Sequence, residues 1–194
     1  VKPLAPADLL GLEQYARERA AIRERMIVHR AGRRLMLGAH CSWSFEDRET
    51  IRYQVQEMLR AERVFEPEGI ADELAAYNPL VPDGDNLKAT LLIEYPDATE
   101  RARRLVELRG LERCCWLQVA GQERVLAVAD EDMERENEEK TSAVHFLRFA
   151  FRPVMIAALK GGASLAAGID HPAYAQEIRA VPAALRQALL GDFD

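Results

Sequence analysis

Residues 140–152, KTSAVHFLRFAFR, alternate in a way that leaves both residue sets largely apolar. One set is Ala143, His145, Leu147, Phe149 and Phe151, and the other is Val144, Phe146, Arg148 and Ala150. A strand of this kind is covered on both faces, so it is expected at the centre of the fold. Alternation through Cys41, Trp43 and Phe45 within 33–45 predicts two strands or one bent strand. Residues 87–95 predict another strand, and 115–120 and 124–129 flank Gly121-Gln122-Glu123 as an antiparallel hairpin. A last strand is expected over 163–169.

Helical spacing fills the intervals. Asp8 is placed to cap a helix over 8–30 that carries Leu9, Leu12, Tyr15, Ala16, Ile22, Met26 and Ile27 on one arc. Ser44 or Asp47 starts a second helix, over 47–63, with Ile51, Val55, Met58 and Leu59 inward. Glu66-Pro67-Glu68 begins a third, ending at Tyr77, and Asp97 with Glu100 forms a capping box for a fourth that stops before Gly110. Gly161-Gly162 ends a helix over 153–160, and Pro182 opens another through Leu190. Several neighbouring strands lack crossover helices, which predicts an α+β fold with a mixed, mostly antiparallel sheet packed with helices. A single compact domain over 1–194 is the simplest arrangement; the alternative is a helical lobe over 1–84 and a sheet-rich lobe over 85–194.

Composition narrows the function classes. The chain has 194 residues, 48% hydrophobic and 30% charged, which suits a core-forming globular protein. With 26 basic against 32 acidic residues the net charge is -6, which argues against nucleic acid as a partner. No apolar run reaches the length of a membrane span or signal-peptide core, so the cytoplasm is expected. Cys41, Cys114 and Cys115 do not make a disulfide framework and are expected to be reduced and unpaired. The His and Cys spacings give no zinc site, and the acidic run 130–139 has Arg135 where a calcium loop needs glycine, so no metal or cofactor is expected. That run reads instead as a solvated segment with Glu131 facing Arg135 and Glu136 facing Lys140. His171-Pro172 reads as a turn near the surface.

Two chemical readings remain. His145, held rigidly on a buried strand, is the acid-base candidate, with Glu57 or Glu94 as its carboxylate. Arg148 sits between Phe146 and Ala150 on a covered strand, Arg19, Arg23 and Arg30 leave an apolar helix arc, and Glu62 lies within another. Such charges predict a buried ion-pair network or, if the carboxylates lie too far away, an anion-binding site.

The strings FEDRETIRYQVQEMLRAER, YNPLVPDGDNLKATLLIEYPD and ADEDMERENEEKTSAVHFLRF together resemble an uncharacterised bacterial domain-of-unknown-function family that spans nearly the whole chain. The resemblance implies a gene setting beside rubrerythrin-like proteins and iron-sulfur oxidoreductases. The resemblance therefore implies an accessory protein with such a partner in redox or peroxide-stress metabolism, and it implies no catalytic residues. The chain lacks the Glu-x-x-His repeats of a di-iron bundle, so it does not resemble rubrerythrin itself.

Overall fold

The computed structural model describes residues 2–129 and 140–194, and the acidic run 130–139, with the charge pairs expected there, lies outside them. In chain order the elements are α1 (Leu12–Ala31), β1 (Arg34–Leu37), β2 (Cys41–Glu46), α2 (Arg48–Glu62), α3 (Pro67–Tyr77) and β3 (Asn86–Ile93). They continue with α4 (Ala98–Glu107), β4 (Cys115–Val119), β5 (Arg124–Leu126), β6 (Val128–Ala129) and β7 (Val144–Ala150). The last are α5 (Pro153–Lys160), β8 (Leu165–His171), β9 (Tyr174–Ile178) and α6 (Ala183–Leu190).

Two antiparallel sheets carry the fold, one in the order β1-β2-β3-β7-β6 and the other β5-β4-β8-β9. The middle place belongs to β3 rather than to β7, correcting the expectation for 140–152. Apolar residues on both faces report covering layers above and below a strand, and they say nothing of its place within the sheet. The inward set of the first sheet, including Leu37, Trp43, Phe45, Leu91, Leu147 and Phe149, shares one core with Leu117, Val119, Leu165 and Ile169 of the second. Trp43 anchors it, with the rings of Phe149 and Phe45 at 5.3 and 6.2 Å. The sheets also join at their margins. Only Ala127 separates β5 from β6, so the chain passes there from one sheet to the other. On the opposite side the Tyr174 hydroxyl donates to the Leu37 carbonyl at 2.7 Å and accepts from the His40 amide at 3.1 Å. Gly38 makes that closure possible: its φ is 75°, and a Cβ would lie 2.6 Å from the Tyr174 hydroxyl. The strand β9, absent from the sequence reading, has mostly exposed side chains and thus little hydrophobic signal.

Helices cover the outer face of the first sheet. Asp47 caps α2, its carboxylate accepting from the Thr50 amide at 2.8 Å while the Thr50 hydroxyl accepts from the Asp47 amide at 2.9 Å. Ile51, Val55 and Leu59 of α2 pack with Leu4, Leu74 of α3 and Val81 in a second cluster among the helices and the segments that flank them. The longer α1 lies outside α2 and buries only Tyr15 and Met26, so most of the predicted apolar arc is not core, and Ile27 is 61% exposed. Its start also falls later than expected, because Pro6–Asp8 form a separate 3₁₀ turn with the Asp8 carboxylate accepting from the Ala5 amide. Residues from both proposed lobes, β1 and β2 on one side and β3 and β7 on the other, form one sheet, and the fold is a single compact α+β domain.

One buried ion pair ties these layers together. Arg33, 4% exposed, pairs with the Asp192 carboxylate. Its Nε donates to the Phe45 carbonyl at 3.0 Å, and its terminal nitrogens donate to the carbonyls of Glu46 and Ala188 at 3.2 Å each. The Asp47 carboxylate stands 3.4 Å away. Removing the cation would leave buried acceptors and a buried carboxylate unpaired. Arg33→Met is therefore expected to lower the free energy of unfolding by about 3 to 5 kcal/mol in urea denaturation, and a loss below about 1 kcal/mol would contradict this assignment.

Candidate functional site

The residues singled out from the sequence do not converge. His145 is wholly buried; its Nε2 lies 2.8 Å from the Thr141 hydroxyl, 3.0 Å from the Ser142 carbonyl and 3.9 Å from the Glu112 carboxylate. The carboxylate it approaches is thus Glu112, rather than Glu57 or Glu94. Glu94 is half exposed at the end of β3, where it meets Arg34 at 2.6 Å and the Ser42 hydroxyl at 3.2 Å. Glu57, on α2, takes a bidentate contact from Arg19 at 2.7 Å and a hydroxyl from Tyr15 at 2.6 Å, which clasps α1 to α2. Arg23 and Glu62 are exposed, since the face of α1 bearing Arg23 has no layer above it and Glu62 falls at the final residue of α2. Arg148 is partly covered on the outer sheet face, opposite Lys88 and Val128, where its charge helps to lower the Asp83 pKa. His171 is buried rather than superficial, with Nε2 donating to the Arg109 carbonyl at 3.0 Å and Nδ1 accepting from the Ala173 amide at 3.2 Å.

A different group of side chains does converge. The outward set of β2 is Ser42, Ser44 and Glu46, and that of β3 includes Lys88, Thr90 and Leu92. Register places Ser44, Thr90 and Phe146 side by side, with Leu92 and Val144 in the next row. This partly polar surface lies beneath helices, where an apolar face would ordinarily be expected. Between the two layers is a cleft of about 310 Å³, roofed in part by Arg30, Ile51, Gln54, Tyr77 and Leu80.

Two charged groups face this cleft from opposite layers. Glu46 is 8% exposed and accepts the Thr50 and Thr90 hydroxyls, one on each oxygen, at 2.6 Å. Arg30 lies in the last turn of α1, where a cation suits the helix dipole. Its guanidinium stands 5.5 Å from the Tyr53 ring centre and reaches Gln54 only at 3.5 Å. The buried Arg30 Nε has no hydrogen-bond partner among the described residues. The guanidinium as a whole lines the cleft beside an apolar wall and meets no carboxylate among the described residues, which suits it to binding a ligand anion.

A family model for proteins of unknown function, DUF3501, matches residues 3–193. The chain belongs to that family. A crystal structure of a novel protein of unknown function from Burkholderia pseudomallei, at 1.90 Å resolution, is similar over 100% of both chains, with 47% sequence identity and a TM-score of 0.94. No curated protein matches the chain. Family membership thus carries the architecture of this DUF3501 protein and leaves its chemistry to be read from the side chains.

The thiols are chemically subdued. Burial pushes Cys41 up to about 12, raises Cys115 well above the ordinary thiol range, and raises Cys114 as well. All three are free. Glu112 is a further residue missed in the sequence, because nothing in its local spacing announces that a turn will bury it. Arg30 and Glu46 were detectable only in part: Glu46 shares the outward parity of Ser42 and Ser44, but the covering helices have to be known before that parity becomes unusual.

The clasp at Glu57 gives a pH-dependent expectation. Hydrogen bonding from Arg19 is the main cause that lowers the Glu57 pKa from 4.5 to about 2; burial opposes it and the Tyr15 hydroxyl assists it. The stabilisation is therefore present above pH 4.5 and is lost as pH falls toward 2. Glu57→Gln should cost about 1 to 2 kcal/mol at neutral pH after allowance for partial exposure, and the gap from the parent should close across that acid window. Urea melts at a series of pH values measure the gap, and a gap that does not change with pH would contradict the linkage.

Proposed function

We propose that this protein is a non-catalytic accessory protein that binds a small organic anion with an apolar body in the cleft between the helices and the first sheet. The observation that carries the reading is the Arg30 guanidinium, which lines the cleft with no carboxylate within ion-pair distance among the described residues. Ser44 and Thr90 supply polar contacts in the same space, while Leu92, Val144 and Phe146 offer a surface for the apolar body. The volume is near the lower end of the range for small-molecule sites, roughly 300 to 1,000 Å³, which favours a metabolite over a large cofactor.

The walls of this cleft, among the described residues, include no histidine, cysteine or lysine to serve as a nucleophile or proton carrier. His145 lies on the opposite, inward parity of β7 and is closed from solvent. Those features support binding over catalysis. An iron-sulfur oxidoreductase or rubrerythrin-like partner in the cytoplasm, implied by the family resemblance, belongs to the same proposal. In it the partner performs the redox step, and the raised thiols of this chain support leaving that step to the partner.

Calorimetric titration with 4-methylpentanoate, 3-phenylpropanoate, leucine and phenylalanine tests the site. At least one of these should bind the parent, and Arg30→Gln should weaken that binding by about tenfold or more through loss of a charged hydrogen bond. Failure of all four to bind, or binding unaffected by Arg30→Gln, would overturn the proposal.

A further inference from the structure

We infer that the ligand of this cleft is a zwitterion, an α-amino acid with an apolar side chain, whose carboxylate meets Arg30 and whose ammonium meets Glu46; this rests on the cleft being the binding site. The inference comes from two opposite charges that share one small space without neutralising each other. Neither the Glu46 carboxylate nor the Arg30 guanidinium has an oppositely charged side chain within ion-pair distance among the described residues.

The cations nearest to Glu46 along the fold are committed elsewhere. Lys88, its register partner on β3, donates to the Pro79 carbonyl at 2.6 Å and pairs with Asp83 at 3.0 Å. Arg33 binds the backbone carbonyl of Glu46, and its charge is matched by Asp192. Thr50 and Thr90 orient the carboxylate, yet two hydroxyl donors leave further lone-pair sites on its oxygens. A covered carboxylate with spare acceptor capacity is complementary to an ammonium group.

The remaining surfaces define the third part of the ligand. Leu92, Val144 and Phe146 lie along the sheet floor, and Ile51 and Leu80 face them from the covering layer. An amino acid offers a carboxylate, an ammonium and an apolar branch from one carbon, matching this division of the walls. A simple carboxylate satisfies Arg30 and leaves Glu46 unpaired, whereas a simple amine does the reverse.

The test compares leucine with 4-methylpentanoate and 3-methylbutylamine, and phenylalanine with 3-phenylpropanoate and 2-phenylethylamine, by calorimetry on the parent protein. At least one amino acid should bind about tenfold or more tightly than both of its partial analogues, because each analogue forfeits a charge-assisted contact. Glu46→Gln should remove most of the advantage of the amino acid over the carboxylate analogue. Circular dichroism and the urea midpoint establish that the variant is folded; if it is not, the comparison of ligands on the parent decides the matter alone. A carboxylate that binds as tightly as its amino acid would overturn the zwitterion assignment and leave the anion site standing, and so would a folded Glu46→Gln variant that keeps the full amino-acid advantage. Absence of binding by every compound would overturn both.

Discussion

An arginine cannot shed its charge when it is buried, so the position of Arg33 constrains everything around it. Its guanidinium collects the Phe45, Glu46 and Ala188 carbonyls and the Asp192 carboxylate, joining the first sheet to the segment after α6. Two of those acceptors lie at the end of β2, immediately before the Asp47 cap of α2. The same contact therefore fixes where the strand stops and where its covering helix starts. Glu46 stands at this junction, with its backbone held from one side and its carboxylate held by Thr50 and Thr90 from the other.

That construction leaves a partly polar floor under a helical roof. Covering Ser44, Glu46 and Thr90 costs hydration that hydrophobic replacements would not lose, and only part of the loss is recovered through hydrogen bonds within the protein. Stability alone does not account for an arginine left without a carboxylate partner among the described residues above the same floor. A ligand that supplies the absent acceptor, together with a donor for Glu46, gives the arrangement a physical purpose. Local departures from ordinary core chemistry are expected where a fold serves a function.

Much of the architecture was legible in the sequence because local signals and tertiary packing agree. Asp47 caps α2 as its spacing suggests, Pro67 opens α3, and the inward alternation of Cys41, Trp43 and Phe45 is realised in β2. The failures have equally specific causes. Two-sided burial marks β7 as a covered strand without making it the middle one, and the exposed side chains of β9 carry little periodic apolar signal. The buried pair of Arg33 and Asp192 joins residues 159 positions apart, a separation that no local pattern can encode. His145 lies on a strand as its alternation predicts, but its inward parity removes it from the cleft, whereas Arg30 reaches the cleft from the last turn of α1, a placement that depends on how α1 packs on α2.

The most direct measurement is the nitrogen-15 resonance of the Arg30 Nε–H, observed while leucine or phenylalanine is titrated into the protein and assigned through its loss in Arg30→Gln. The account predicts a saturable shift of this resonance, accompanied by shifts at the Ser44 and Thr90 amides and by slower exchange of the Nε proton with water. A resonance that stays unchanged at ligand concentrations that saturate the protein, with the shifts gathered on a different surface, would contradict it.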